Sequence, residues 1–76
     1  MSRYTAHPLL YDTDTEEVSV DLSVTLTASD SPSELSGLMS ALHYDGALAV
    51  VDHTRQMVDL DGRGQYPLAD IRKVLA

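Results

Sequence analysis

The chain reads as an α+β fold: a two-layer sandwich in which a mostly antiparallel four-stranded sheet carries two helices on one face, in the order β-β-α-β-β-α. Three observations predict it. Val18 to Thr27 alternates apolar and polar residues without an error, the two-residue period of a strand with one wet face. Ser31-Pro32-Ser33-Glu34 is a helix start, followed by Leu35, Leu38, Met39 and Leu42 on one stripe. Two more strand-length runs flank the turn-forming segment Asp52-His53-Thr54-Arg55.

Arg3 to Tyr11 is the first strand, and Pro8, which has no amide hydrogen, places it at a sheet edge or gives it a bulge. Asp12-Thr13-Asp14-Thr15 supplies side chains that bond their own backbone, so a hairpin turn leads into the alternating strand from about Glu17 to Ala28. Its polar set, Ser19, Asp21, Ser23, Thr25 and Thr27, is expected to face water. Ser31 is the N-cap, Pro32 the first helical residue and Glu34 the returning member of a capping box; Gly46 ends the helix near Tyr44. Gly37 inside that helix costs about 1 kcal/mol relative to Ala, which suggests a close approach to the sheet.

Ala47 to Val51 is a continuous apolar run suited to a central strand, and Gln56 to Leu60 is the returning strand. Asp61-Gly62-Arg63-Gly64 breaks it. Tyr66-Pro67 then opens a closing helix in which Leu68, Ile71, Val74 and Leu75 share a face.

A 76-residue chain is expected to be one domain, 1–76, with a small core. With four tyrosines and neither Phe nor Trp, that core rests on aliphatic residues, and a homodimer would reinforce it. The absence of Cys removes disulfides, thiolate metal sites and thiol nucleophiles, and favours a cytoplasmic, soluble protein; no apolar run has the length of a membrane span. Twelve acidic residues against five basic ones give a net charge of −7, which disfavours direct nucleic-acid binding and favours basic protein partners. The same charge also serves solubility.

No cofactor or metal signature is present. The Asp12-Thr13-Asp14 opening resembles a calcium loop, but Glu17 stands where that loop requires Gly and Ser23 where it requires Glu. His7, His43 and His53 stand far apart in sequence, outside any metal-binding spacing, and Asp52-His53 lies in a turn rather than a cleft. No serine sits in a nucleophile elbow, and Gly62-Arg63-Gly64 is too short for a phosphate loop. The chain is therefore not expected to be an enzyme.

What remains is binding. The leading expectation is a non-enzymatic protein-binding module that presents Asp12, Asp14, Glu16, Glu17 and Asp21 on the first hairpin, and Asp52, Asp59 and Asp61 on the second, to a basic groove. In class, being tiny, acidic, free of Cys and confined to one domain, it resembles the small inhibitors that phages use against nucleic-acid-handling defence complexes. That resemblance implies an anti-CRISPR-like mimic of nucleic acid acting on a host defence complex. The alternative is a structural or accessory subunit that assembles through its exposed sheet face or an edge strand. A toxin-neutralising or regulatory partner would need the same acidic surface.

Overall fold

A computed structural model of the chain describes residues 2–42, 46–60 and 64–73. These form an α+β domain of six strands and one α-helix: β1 (Tyr4–Asp12), β2 (Glu17–Val20), β3 (Thr27–Ser29), α1 (Pro32–Leu42), β4 (Leu48–Asp52), β5 (Met57–Leu60) and β6 (Gln65–Pro67), closed by a 3-10 helix at Leu68–Lys73. The strands form one antiparallel sheet in the order β2-β1-β4-β5-β6, with β3 also paired to β1. The expected α+β class holds. The expected four strands and two helices do not.

The first departure begins at Pro8. Its carbonyl accepts the Asp21 amide at 3.1 Å, but a proline has no N–H to return the bond, so the β1–β2 ladder stops there. The Asp21 carbonyl is taken instead by the Val24 amide, and the Asp21 carboxylate accepts the Ser23 amide at 3.1 Å, a local turn that competes with extended pairing. Pairing resumes where the Leu26 amide donates to the Ala6 carbonyl at 2.8 Å. The partners shift from Leu9↔Val20 to Tyr4↔Ser29, a slip of four residues, so the single strand expected over Glu17 to Ala28 is two strands end to end along β1. The expected wet face from Ser19 to Thr27 is broken in the same place. Leu22 and Val24, expected to point inward, are exposed at 51% and 40%. Pro8 produces a bulge in the facing chain and does not put β1 at an edge, since β1 lies between β2 and β4.

The second departure is at the C-terminal side of the sheet. Tyr66-Pro67 belongs to β6, whose Tyr66 pairs with Val58 and Pro67 with Met57. Proline is tolerated there because β6 is an edge strand. Leu68 and Ile71 do point at the core as expected, from the 3-10 helix; Val74 and Leu75 lie outside the described residues.

Strand alternation divides the sheet into two faces. Val18, Ala49, Val51, Val58 and Leu60 share one face and pack with Ile71, supported by Leu9, Val20, Tyr66 and Leu68. The opposite face carries Tyr4, Ala6, Leu48, Val50, Met57 and Asp59, as the register requires, and meets Leu35 and Met39 of α1. The α-helix and the 3-10 helix therefore cover opposite faces, not one. α1 covers chiefly the β1 and β3 end of its face. Leu35 is its one buried residue, and Leu38 and Leu42 of the expected stripe stay 38% exposed.

Two local expectations are corrected in α1. The Ser31 hydroxyl faces the Glu34 amide at 3.5 Å, but the Ser31 amide donates to the Ser29 hydroxyl rather than to Glu34, so the capping box is half formed. A Cβ built on Gly37 meets nothing within 4 Å, so this glycine marks no close approach. The helix end expected near Tyr44 lies outside the described residues.

Candidate functional site

The same six-residue turn occurs twice. In Asp12-Thr13-Asp14-Thr15-Glu16-Glu17 the Asp12 carboxylate accepts the amides of Asp14 at 2.9 Å and Thr15 at 3.4 Å, and Glu16 is left-handed with φ 58°. In Asp52-His53-Thr54-Arg55-Gln56-Met57 the Asp52 carboxylate accepts Thr54 at 3.1 Å and Arg55 at 3.2 Å, and Gln56 has φ 56°. An Asp at the strand end that bonds forward to two amides explains why both hairpins turn here. It also means that Asp12, Asp21 and Asp52 are occupied in holding the backbone.

The sequence-selected carboxylates separate accordingly. Asp14, Glu16 and Glu17 are exposed at the β1–β2 turn and form no ion pair among the described residues. Asp52 and Asp59 line the opposite end of the molecule, facing α1, and Asp61 lies outside the described residues. Tyr4 and Asp12 mark the two ends of β1, about 27 Å apart at the strand rise of ~3.4 Å per residue. The eight acids thus make no single surface.

Beyond Leu9 the chain leaves β4, whose last partner on β1 is Pro8, and β1 and β2 continue as a two-stranded finger. Val18, opposite Tyr11 and one pair from the turn, packs into the core, and β2 rests against the 3-10 helix. Leu10 and Tyr11 stand 47% and 52% exposed beside the acidic tip, so the finger mixes apolar surface with carboxylates. Sequence reading picked out the carboxylates but missed these two; the signal was that β1 outruns the five-residue apolar run that pairs with it.

At the other end, Arg3 lays its guanidinium over the Tyr4 ring at 5.0 Å and donates to both Asp52 carboxylate oxygens at 3.2 Å. The Arg3 guanidinium, then the Arg55 and Thr54 amides, hold the Asp52 carboxyl below its ordinary range. Between this pair, the uncovered part of the sheet and α1 lies a groove of about 600 Å³, floored by Leu35, Met39, Leu48, Val50 and Met57.

His7 and His53 are not each alone, as their sequence separation suggested; His43 lies outside the described residues. His7 is buried, and its Nδ1 meets the Val24 carbonyl at 2.7 Å. A carbonyl only accepts, so Nδ1 carries a proton, which leaves Nε2 to accept from the Thr5 hydroxyl at 2.6 Å. The same hydroxyl oxygen then accepts from His53 Nε2 at 2.7 Å. His53, expected beside Asp52, therefore pairs with Thr5. The order hydroxyl, imidazole, carbonyl is that of a nucleophile with its base and orienting group. Here both sides of the hydroxyl are engaged, and the groove opens on the other face of the sheet, so the chain of bonds ties β1 to the β4–β5 turn and to the segment that Pro8 displaces.

Among the described residues no group of three or more His, Asp or Glu side chains is placed to hold a metal ion, and no helix is long and apolar enough to cross a membrane. Comparison of the chain with protein-family models, curated proteins and solved structures finds no match.

Proposed function

We propose that the protein is a non-enzymatic binding module whose β1–β2 finger docks on a basic protein surface of a nucleic-acid-handling complex. The observation that supports this reading is the finger itself: the two-stranded end of the β1–β2 hairpin, whose tip holds Asp14, Glu16 and Glu17 with no ion pair among the described residues and with Leu10 and Tyr11 exposed alongside. Carboxylates there would occupy Arg and Lys side chains that otherwise hold phosphates, and Tyr11 would supply the kind of aromatic contact that anchors protein interfaces. The molecule as a whole, at net charge −7, would steer toward such a surface. An inhibitor of the phage type, acting on a host defence complex in the cytoplasm, is the form of this reading that the small acidic domain suits best.

The role falls to the tip and not to all eight acids, because Asp12, Asp21 and Asp52 hold turns and Asp52 and Asp59 face the groove. The test is affinity capture from host lysate with the wild type and with the triple variant Asp14→Lys, Glu16→Lys, Glu17→Lys. A nucleic-acid-binding complex retained by the wild type and lost with the variant is expected. Equal retention by both refutes the reading.

A further inference from the structure

The groove at the far end of the sheet is built differently from the finger. Its floor is apolar and adaptable: Leu35 and Met39 from α1 face Leu48, Val50 and Met57 from β4 and β5. Two of the five floor residues are methionines, whose unbranched side chains reshape around varied apolar bodies. Its volume of about 600 Å³ lies within the range of small-molecule pockets. The cause is architectural. α1 packs chiefly over β3 and β1, so among the described residues an apolar strip of β4 and β5 is left open beside the helix.

The charges at its rim decide what would enter. Four charged residues line it: Arg3, Asp52, Arg55 and Asp59. Arg3 and Asp52 neutralise one another, and Asp59 is itself engaged. The Arg55 guanidinium makes no ion pair among the described residues, although its backbone amide is held by Asp52. So an apolar trough ends at an available guanidinium. The acidic tip, about 27 Å away at the ordinary strand rise, lies several screening lengths off and does not oppose an anion at physiological salt.

We infer that this groove is a binding site for an amphipathic organic anion, a carboxylate with an aliphatic or aromatic body, its head on Arg55 and its body on Met39, Val50 and Met57. The head gains a charge-assisted contact, and the body covers the strip of sheet that α1 leaves open. Binding here is independent of the finger and of its partner.

Decanoate serves as the probe, with decanol and decylammonium as controls, titrated to about 5 mM while the Met39 and Met57 methyl signals are followed by NMR. Decanoate is expected to shift both methyls saturably. Arg55→Gln is expected to weaken decanoate about tenfold and leave decanol unchanged, as loss of one charge-assisted contact requires. Arg55 is an exposed turn residue whose backbone bond survives the change, so the amide spectrum is expected to show the variant folded. Absence of methyl shifts overturns the inference. So does equal affinity for decylammonium, or decanoate binding that Arg55→Gln leaves intact. Methyl signals that move on dilution of the protein alone assign the groove to a second copy of the chain, and overturn it too.

Discussion

Replacing Thr5 with Val keeps the shape and the β-branched backbone preference of the side chain but removes the hydroxyl that joins His7 to His53. The two histidines respond differently. His53 lies on the exposed β4–β5 turn and exchanges Thr5 for water at little cost. His7 is 3% exposed, and its Nδ1 proton is committed to the Val24 carbonyl, so Nε2 is left as a buried acceptor without a donor. Such a group costs about 1–3 kcal/mol, and the midpoint of that range, ~2 kcal/mol, is the expected loss. A domain of this size loses roughly 4–8 °C of Tm per kcal/mol, which gives a drop of about 8–16 °C. Calorimetry and urea unfolding of Thr5→Val, Thr5→Ser and His53→Ala measure it. Thr5→Ser keeps the bonds and is expected to retain most of the stability, and His53→Ala is expected within about 0.5 kcal/mol of wild type, as for a surface change. A Thr5→Val protein as stable as wild type, or a His53→Ala protein as damaged as Thr5→Val, would refute the account of this chain of bonds.

Gly37→Ala is expected to stabilise the protein by about 0.5–1 kcal/mol, because a Cβ there enters open space and glycine is a poor helix residue; a lower Tm would contradict it. Asp12→Ala is expected to cost about 1 kcal/mol through loss of the turn bonds, whereas Asp14→Asn leaves thermal stability unchanged; equal effects would mean that Asp12 does not hold the turn. Asp52 has its carboxyl lowered chiefly by Arg3, so the unfolded chain binds a proton more readily than the folded one and the pair stabilises at pH above the ordinary carboxylate value. The stability advantage of wild type over Asp52→Asn is therefore expected to be full at neutral pH and to vanish as the medium is acidified below about pH 4 through the folded-state value; an advantage constant from neutral pH to pH 2 would show that charge pairing is not its source.

Local chemistry was legible where it acted locally. Asp12 and Asp52 read as turn residues and are, and Ala47 to Val51 reads as a central strand and is one, between β1 and β5. The α+β class followed from the same patterns. Errors arose where one residue acts on a distant segment. Pro8 was seen to lack a donor, but its effect falls on Asp21 to Thr25, a segment whose own alternation is unbroken. The covering of both sheet faces was hidden for a similar reason. Residues 47–51 show no period, and only the pairing register separates Ala49 and Val51 from Leu48 and Val50. At the candidate site, the sequence supplied the acids but not their division into turn-holding and free carboxylates, which depends on where each backbone amide points. The Thr5 bridge needed the β1–β4 pairing to bring positions 5 and 53 together.

The central claim is that the acidic finger engages a basic surface electrostatically. It is tested most directly by the affinity of the wild type for its captured partner, measured from about 0.05 to 0.5 M salt, where the screening length falls from above 10 Å to a few ångströms. The account predicts affinity that declines steeply over this range, with a flatter dependence for the Asp14→Lys, Glu16→Lys, Glu17→Lys variant. An affinity that is unchanged by salt and by the variant would contradict it.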